Sequence, residues 1–327
     1  MAGIPANDAL VVAVTTPVTA DLRPDAGLLA ERCAWLLAEG CDGLGLFGTT
    51  GEGAEQSAED RMAALQSVVA GGIDPSRLIV SVGAGSIPDT VRLARHALER
   101  DVAGLLLMPP SIFRSGITEE GAFNFFAAVI ERTAIPDMRL LLYHFPDISG
   151  VPLTPRVVRR LDERYPGAIA GLKDSGGDID FTESLIRRFS HMSIYIGSET
   201  HLPQALASGA RGTICGLGNA MPRLLRAMLD APTAFDRRQF LPHIVSGDAI
   251  LSRRPFVASV KAIVAASTSN PDWRRVLPPL AELPALEEAQ LVADFRRWEE
   301  GLPAAWRSVF RAPAAEGGNI VSLRRAG

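Results

Sequence analysis

The sequence predicts an α/β fold, a closed (β/α)8 TIM barrel followed by a C-terminal helical extension. Two observations lead to this prediction: eight short apolar runs recur along the first two thirds of the chain, and segments with helical spacing lie between them. Each run is apolar almost throughout, as expected for a strand of a parallel sheet that is buried on both faces. Eight strand–helix units within roughly 230 residues match the usual size of such a barrel.

The predicted strands are bounded by Gly, Pro or Asp, and parallel neighbours need a crossover connection between them. The strands are predicted at Ala9–Val14, Gly43–Phe47, Leu78–Val82, Gly104–Met108, Leu140–Tyr143, Ile169–Leu172, Ser193–Ile196 and Gly212–Cys215. The intervening helices include Leu28–Leu37, Met62–Val69, Val91–Leu98 and Leu185–Phe189.

An open, doubly wound sheet is the competing architecture, because it also alternates strands and helices. The sequence contains a G-x-G-x-x-G pattern at Gly43, Gly45 and Gly48. A dinucleotide site needs this pattern in the turn after a strand, whereas its first glycines lie inside the predicted second strand. The barrel is therefore favoured.

From about Met221 the pattern becomes wholly helical. We predict a barrel over residues 1–222, a helical extension over 223–312 and an aperiodic, mobile tail over 313–327. The extension should pack on the barrel or on a neighbouring subunit, because its helices are amphipathic. Its helices are predicted at Ala234–Leu251, Phe256–Ala266, Leu286–Trp298 and Ala304–Phe310.

Composition excludes several classes of protein. Lys and Arg number 33 against 37 Asp and Glu, which argues against a nucleic-acid binder or a polybasic membrane-surface protein. Three cysteines in a chain of 327 residues rule out a disulfide scaffold and fit a reducing compartment. No apolar run approaches the ~18 residues that a membrane span needs, and the N-terminus lacks the pattern of a secretion signal. We therefore expect a cytoplasmic globular protein.

Lys173 is the strongest candidate for a catalytic residue. Active sites of TIM barrels lie at the carboxyl ends of the strands, and Lys173 follows directly after the apolar run Ala168–Leu172. Burial disfavours the ammonium form of a lysine, and the neutral amine is the form that attacks a carbonyl to make a Schiff base. The alternative is a structural ion pair with Asp174 or another carboxylate at the rim of the barrel.

Two further features accompany Lys173 at the same end of the predicted barrel. Tyr143 ends the neighbouring strand, and strands lie roughly 4.8 Å apart, so its hydroxyl can reach Lys173 and transfer protons. It could instead be an aromatic residue that caps the core. The turn Gly48–Gly51 offers successive backbone N–H groups and the hydroxyls of Thr49 and Thr50, which suits a carboxylate. Alone this turn would be interpreted as structural, but its position beside a lysine favours binding.

Other polar residues give weaker signals. The five histidines show no metal-binding spacing, so no metal site is predicted. Cys215 is better interpreted as a small buried hydrophobe than as a nucleophile. Glu199 could contact a substrate hydroxyl or cap the following helix, and the cap is favoured. Glu52 is expected to cap or brace its turn.

In combination, these motifs resemble the N-acetylneuraminate lyase / dihydrodipicolinate synthase superfamily of class I, pyruvate-handling aldolases. The resemblance covers most of the chain in the family's order. It rests on Gly48-Thr49-Thr50-Gly51-Glu52, Tyr143 with Pro146, Gly171-Leu172-Lys173-Asp174 with Ser175 and Gly176, and Gly197, and more weakly on Asn219 with Pro222 and on Val260-Lys261.

The resemblance implies a homotetramer or dimer of barrels that uses no metal or organic cofactor. It implies that Lys173 forms a Schiff base with a 2-oxo acid such as pyruvate and that Tyr143 relays protons. By the same comparison, Thr49 and Thr50 hold the carboxylate, and Gly197 belongs to the substrate site.

Two departures from the family's pattern concern the substrate. Ile148 stands where a dihydrodipicolinate synthase is expected to carry an Arg for a second carboxylate, and an apolar side chain cannot form such a clamp. His144 replaces the family's Asn and is predicted to bind substrate. The second tyrosine, lent by a neighbouring subunit, should fall within residues 109–113, but Phe113 has no hydroxyl. Ser111, a water molecule or His144 would have to substitute.

The segment Pro146–Val151 resembles the lyase branch of the superfamily, and Glu199 stands where that branch has an acidic ligand for sugar hydroxyls. Thr200 replaces the next acidic ligand, which argues against sialic acid itself. We expect an aldolase that cleaves or forms a 2-oxo acid, such as the sugar acid 2-keto-3-deoxygluconate, with pyruvate and an aldehyde as products of cleavage. The alternatives are condensation of pyruvate with aspartate semialdehyde, a dehydratase or deaminase that uses the same Lys imine, and a barrel that binds oxo acids without turnover.

Overall fold

Eight parallel strands form a closed barrel in which each strand pairs with its neighbours in sequence order. This computed structural model describes residues 7–111, 116–151 and 153–310. The strands are β1 Ala9–Ala13, β2 Gly43–Leu46, β3 Leu78–Ser81, β4 Gly104–Leu107, β5 Leu140–His144, β6 Ile169–Asp174, β7 Ser193–Ile196 and β8 Gly212–Cys215. β1 closes the barrel by pairing with both β2 and β8. The predicted TIM barrel is confirmed.

Helices connect the strands and continue after the barrel. Between the strands they are α1 Ala26–Ala38, α2 Ala58–Ala70, α3 Ile87–Leu98, α4 Glu119–Thr133, α5 Pro146–Ser149, α6 Pro155–Arg164, α7 Ile179–Arg188 and α8 Leu202–Ala207, and α9 Pro222–Asp230 follows β8. The C-terminal extension contains α10 Ala234–Arg238, α11 Leu241–Leu251, α12 Phe256–Thr268 and α13 Ala285–Glu300. Several helices begin with a side-chain cap: for example, the hydroxyl of Thr154 accepts from the amide of Val157, and Pro155 occupies the first turn.

Apolar side chains pack on both faces of the barrel strands. A large core cluster fills the layer between the strands and the helices, with fully buried residues such as Leu44 and Leu142. A second cluster fills the barrel interior and includes Leu141, Tyr143 and Tyr195. Burial of each aliphatic side chain contributes about 1.5–3 kcal/mol, so this two-sided packing holds the strand ends, and the residues on them, in fixed positions.

The helix predicted over Ala234–Leu251 is divided into α10 and α11, so that prediction is wrong in one respect. Pro242 lies in the first turn of α11 and has no N–H to bond with a carbonyl of α10. A proline fits the first turn of a helix but not its interior, which explains the break.

The helix predicted over Ala304–Phe310 is also wrong, because only a 3₁₀ turn at Ala304–Trp306 forms. The amides of Ser308, Val309 and Phe310 donate instead to the buried carboxylate of Glu299 at 2.6–2.9 Å. These bonds take the N–H groups that a helix would use. The predicted tail at residues 313–327 lies outside the described residues, and the division of the chain at residue 222 stays a prediction.

Across the described ranges, none of the helices combines the length and the apolar character that crossing a membrane requires.

Candidate active site

Lys173 and Tyr143 lie side by side on neighbouring strands inside the barrel. They are register partners of β6 and β5, and both are buried, at 6% and 3% exposure. The Lys173 Nζ donates to the Tyr143 Oη at 3.0 Å. Between residues 7 and 310, leaving out 112–115 and 152, no carboxylate lies within 4.0 Å of this nitrogen. The lysine is therefore partnered by a phenol rather than by an acid.

Asp174, the alternative ion-pair partner of Lys173, points to the other face of the strand. Its carboxylate accepts from the Thr182 hydroxyl at 2.5 Å and from the Gly176 amide at 2.9 Å. Successive residues of a strand face opposite sides of the sheet, so Asp174 lies towards the helices while Lys173 lies in the interior. The structural ion pair between these two residues is thus absent.

The environment of Tyr143 lowers the pKa of its phenol. Burial by itself would raise the pKa of the phenol, but the charge of Lys173 and hydrogen bonds from Lys173, Thr49 and Ser175 bring the pKa below its ordinary value. A phenol that is hydrogen-bonded on three sides has a fixed orientation. It is suited to accept and return a proton within the barrel.

A cavity of about 400 Å³ opens at the carboxyl ends of β2, β3, β4 and β5, and Tyr143 forms part of its wall. Its polar lining is formed by Thr49, Glu55, Ser81, Ser111 and Tyr143. Its apolar lining includes Phe47, Met108, Pro109, Pro110 and Ile148. This cavity gives a small molecule access to the hydroxyl that contacts Lys173.

The predicted carboxylate-binding turn follows β2 and brings Thr49 to this cavity. The turn is closed by hydrogen bonds from the amides of Gly51 and Gly53 to the Gly48 carbonyl, at 3.1 and 3.2 Å. In the described part of the chain, the amides of Thr49 and Thr50 donate to no acceptor. Two unused N–H groups and a hydroxyl next to Tyr143 are what a carboxylate would bind.

The side chains of the two threonines have different neighbours. Thr49 lines the cavity and bonds to Tyr143, whereas Thr50 is buried and lies near Gly216, after β8. A Cβ atom at Gly216 would lie 3.1 Å from the Thr50 hydroxyl oxygen. The structure thus assigns the two hydroxyls to different sides of the barrel mouth.

Gly197, a predicted substrate-site residue, lies directly beside Lys173. A Cβ atom at this position would be 2.0 Å from the Ser175 hydroxyl oxygen and 3.3 Å from the Lys173 Cε atom. The absence of a side chain therefore makes the room that Lys173 and Ser175 occupy. A substitution by alanine would force both groups to move.

His144, predicted to bind substrate, is not among the residues that line the cavity, and its role stays a prediction. It is 5% exposed, its Nδ1 accepts from the Leu153 amide at 3.1 Å, and its ring packs on Phe181 with centroids 4.6 Å apart. Burial lowers the pKa of His144, and the nearby Asp174 carboxylate opposes this. Because Tyr143 faces the interior, strand alternation turns its neighbour His144 towards α7. His144 and Tyr143 therefore lie on opposite faces of β5.

Glu199 is also separate from the cavity. It lies on a 3₁₀ turn after β7, and its carboxylate accepts from the Leu217 amide at 3.4 Å. Burial raises the pKa of Glu199 to about 7, while hydrogen bonds from the backbone and from Cys215 oppose the shift. The helix cap favoured from the sequence does not form either, and the side chain instead ties β7 to the segment after β8. Glu55 is the acidic residue that lines the cavity.

Residues 109–113, where the second tyrosine was sought, are only partly described. Ser111 lines the cavity, and Phe113 lies outside the described residues. In the residues that are described, no cluster of three or more His, Cys, Asp or Glu side chains could hold a metal ion.

Ser175 and Ser81 were not predicted from the sequence as site residues. Ser175 bonds to Tyr143, and Ser81 ends β3 on the cavity wall. One overlooked signal is the use of basic residues: Lys173 and Lys261 are the only lysines in the sequence, and every other basic residue apart from histidine is an arginine. Both lysines are buried, which marks each as a special position.

Comparison with known proteins gives a consistent family match. Residues 6–295 match the model of the dihydrodipicolinate synthetase family. An uncharacterised DapA-like lyase from Chloroflexus aurantiacus is 35% identical over 224 residues, which are 68% of this chain and 74% of that protein. A 4-hydroxy-tetrahydrodipicolinate synthase from Acidithiobacillus ferrooxidans is 32% identical over 227 residues, which are 69% and 76% of the two chains.

Solved structures with the same fold include a dihydrodipicolinate synthase from Agrobacterium tumefaciens. It superimposes with a TM-score of 0.82 at 32% identity and covers 89% of this chain and 99% of that one. N-acetylneuraminate lyase from Aliivibrio salmonicida has a TM-score of 0.79 at 23% identity, covering 90% and 98% of the two chains. The second similarity supports the fold alone. Together with the family model, these comparisons confirm the resemblance that the motifs carry.

Proposed function

Because the chain belongs to the dihydrodipicolinate synthetase family, we propose that it is a Schiff-base aldolase that cleaves a 2-oxo acid to pyruvate and an aldehyde. The observation that carries this proposal is the 3.0 Å contact between the Lys173 Nζ and the Tyr143 Oη. A buried amine with a phenol as its partner, beside an accessible cavity, can condense with a ketone and has a group at hand to move the protons.

The first steps bind the substrate and form the imine. The C1 carboxylate binds to the amides of Thr49 and Thr50, which places the C2 ketone near Lys173. The amine adds to C2, and loss of water gives an iminium ion. Tyr143 moves protons between the nitrogen and the departing oxygen, since its hydroxyl already contacts the nitrogen.

Cleavage then uses the iminium as an acceptor of electrons. Tyr143 takes the proton of the C4 hydroxyl, the C3–C4 bond breaks, and its electron pair passes into the iminium to form an enamine. The aldehyde leaves. Protonation of the enamine at C3 and hydrolysis of the imine release pyruvate and restore the amine of Lys173.

We propose a 3-deoxy sugar acid as the substrate, because the cavity supplies groups that bind hydroxyls. Glu55, Ser81 and Ser111 line it, whereas Glu199 does not. Ile148 on the same wall provides no cation for a second carboxylate. The condensation of pyruvate with aspartate semialdehyde is the second candidate, because a 4-hydroxy-tetrahydrodipicolinate synthase is among the relatives at 32% identity.

Borohydride reduction in the presence of pyruvate tests the imine chemistry. Reduction converts a Schiff base to a stable amine, and mass spectrometry of the digested protein then locates it. Since the chain contains two lysines, the expected adduct on Lys173 has one internal control, Lys261. Absence of any adduct on Lys173 at saturating pyruvate would contradict the proposed function and favour a barrel that does not turn over oxo acids.

A substrate panel distinguishes the reactions that share the imine. Pyruvate release from 2-keto-3-deoxygluconate and related sugar acids, followed with lactate dehydrogenase, is expected for an aldolase. Consumption of the sugar acid without pyruvate would indicate a dehydratase or deaminase. Consumption of pyruvate with aspartate semialdehyde at a higher kcat/KM than any sugar acid would favour the synthase.

We further propose that the enzyme works in the cytoplasm as a homo-oligomer, a dimer or tetramer of barrels. The family membership supports this proposal. Light scattering coupled to size-exclusion chromatography gives the molar mass, and a mass equal to one 34.9 kDa chain would contradict it.

A further inference from the structure

Glu52 occupies an unusual position directly after the turn that carries Thr49 and Thr50. Its backbone is in the left-handed region, with φ of 54°, and its side chain is 3% exposed. A residue with a Cβ atom is disfavoured in this conformation, and an isolated buried carboxylate is costly. The surrounding structure must therefore hold Glu52 in place.

Among the residues that the structure describes, the partners of the Glu52 carboxylate belong to the C-terminal extension. One oxygen forms an ion pair with the Nζ of Lys261, which lies on α12 and is fully buried. The other oxygen accepts from the Leu277 amide at 2.5 Å. Lys261 also donates to the Arg275 carbonyl at 2.6 Å. The turn and the extension are thus joined across more than 200 residues of sequence.

We propose that Glu52 and Lys261 are positioning residues for the substrate carboxylate, so that the C-terminal extension is a working part of the active site. The pair touches neither substrate nor Lys173, and acts through the amides of Thr49 and Thr50. This inference rests on the proposed function in one respect, namely that these amides bind the carboxylate of a 2-oxo acid.

The pair has a geometric effect on the turn. The amide of Glu52 donates to the Thr49 carbonyl at 3.1 Å, so the position of Glu52 fixes the peptide groups that precede it. With its side chain held by Lys261 and Leu277, Glu52 cannot leave the left-handed conformation. The N–H groups of Thr49 and Thr50 therefore keep one orientation before any ligand arrives.

The pair also has an electrostatic effect. Glu52 lies two residues from Thr50, and an unpaired carboxylate there would repel the anionic group of the substrate in a region shielded from water. The ammonium of Lys261 cancels that charge. In a chain whose only other lysine is Lys173, a compact ammonium at this buried point is consistent with such a role.

Helix α12 reaches the same rim of the barrel at a second point. A Cβ atom at Gly216 would lie 2.6 Å from the Phe256 Cε1 atom and 3.1 Å from the Thr50 hydroxyl oxygen. Phe256, at the start of α12, thus packs next to the side chain of Thr50. Two separate residues of one helix border the turn, which makes α12 a support for it rather than a distant appendage.

The test measures pyruvate binding in three variants of the full chain by borohydride trapping. Lys261→Met leaves an uncompensated carboxylate behind the turn, and Glu52→Gln/Lys261→Met replaces the ion pair by neutral groups. Glu299→Gln perturbs the extension elsewhere and is the control. The readouts are the pyruvate concentration at half-maximal trapping, the adduct at saturation and the Tm.

For Lys261→Met we expect the pyruvate concentration at half-maximal trapping to rise by at least roughly tenfold. For the double variant we expect a rise of roughly threefold, because the second substitution removes the uncompensated carboxylate that the first one leaves. The adduct on Lys173 at saturating pyruvate should equal that of the wild type, because the amine itself is untouched. The control should shift only the Tm. If Lys261→Met unfolds, the double variant still tests the positioning role, since a buried ion pair can generally be replaced by neutral groups without unfolding the protein.

Hydrogen–deuterium exchange of the ligand-free variants provides a readout that does not depend on the proposed function. The amides of Gly51, Glu52 and Gly53 are hydrogen-bonded within the turn, and we expect them to exchange faster in the double variant but not in Glu299→Gln. Unchanged exchange, or an unchanged half-maximal concentration in a folded double variant, would overturn the positioning role. If the wild type forms no adduct, the proposed function is contradicted. The exchange data still test whether Glu52 and Lys261 hold the turn in place.

Discussion

The two lysines of this chain are both buried, yet their surroundings are opposite. Lys173 Nζ contacts the hydroxyl of Tyr143 at 3.0 Å beside a cavity, and no carboxylate within the described residues lies within reach. Lys261 Nζ is enclosed by the Glu52 carboxylate and the Arg275 carbonyl. In Lys261, burial lowers the pKa and the Glu52 charge opposes this.

The difference shows that burial alone does not make a lysine a nucleophile. An ammonium paired with a carboxylate is stabilised in its charged form and has no free electron pair. Lys173 instead contacts a phenol, a group that can accept a proton and return it during a reaction. Access matters equally, since Tyr143 borders open space whereas Lys261 is enclosed on all sides.

The strongest test of this comparison is the removal of each amine. We expect Lys173→Met to abolish both pyruvate release and the borohydride adduct, because Lys261, the other lysine of the chain, is fully buried against Glu52. Lys261→Met is the matched control: it should keep the adduct on Lys173 at saturating pyruvate. Turnover by a folded Lys173→Met protein at a rate near that of the wild type would remove the assignment.

The partner of the amine is tested by Tyr143→Phe, which keeps the ring and deletes the hydroxyl. Loss of general acid–base catalysis should lower kcat by ~10²–10⁴-fold. The adduct should still form, but slowly, so the time course of trapping separates slow proton transfer from loss of the nucleophile. A variant with unchanged kcat would show that another group carries the protons.

Much of the barrel could be predicted from sequence because each strand is specified by residues that are consecutive in the chain. Strands buried on both faces are short apolar runs, and each predicted strand overlaps its observed counterpart within two residues at each end. The pairing of Lys173 with Tyr143 followed from their positions at neighbouring strand ends. His144 was predicted to bind substrate because it stands where the family has Asn, and that position in the sequence did not indicate that strand alternation turns it away from the face that Tyr143 occupies.

The contacts of Glu52 and Glu199 could not be predicted in the same way. Glu52 was expected to brace its turn, but its partners Lys261 and Leu277 are far away in sequence and belong to the extension. Glu199 was placed by analogy with sugar-binding relatives, while its rotamer depends on packing against the segment after β8. Such side-chain directions are set by tertiary contacts, which no local pattern records.

A smaller effect is expected at Thr49, which bonds to the phenol that contacts Lys173. Thr49→Val removes a hydrogen bond that helps to lower the pKa of Tyr143, so this pKa should rise. Because the phenolate is the form that accepts a proton, the limb of the kcat–pH profile that rises with pH should move to higher pH. At pH 7 we expect a loss in kcat of roughly tenfold, as for a hydrogen bond to a charged group. Ser175→Ala should act in the same direction, and a profile that does not move would contradict the role of these bonds.

The smallest effect on turnover is expected at Glu199, a buried carboxyl that forms no ion pair within the described residues, whereas Glu52 pairs with Lys261. Burial raises the pKa of Glu199 from 4.5 to about 7, so the folded state binds its proton more tightly than the unfolded state. This contribution to stability is therefore complete below about pH 4.5 and is lost as the pH rises to about 7. Glu199→Gln retains an acceptor for the Leu217 amide and cannot ionise. At pH 8 it should be more stable than the wild type by up to about 3 kcal/mol, and at pH 5 by less than about 1 kcal/mol, with kcat unchanged.

Urea unfolding at both pH values and at one protein concentration measures this difference, with the exposed Glu300→Gln as the control that should show none. Equal pH dependence in Glu199→Gln and the wild type would mean that the carboxyl is ionised in the folded protein at little cost. Glu199 would then need a cationic or polar partner at the barrel mouth, as Glu52 has in Lys261. In that case the two buried acids would no longer differ in whether their charge is paired. A gain in stability confined to the higher pH would instead show that the two buried acids differ as the two lysines do: one has an oppositely charged partner and the other does not.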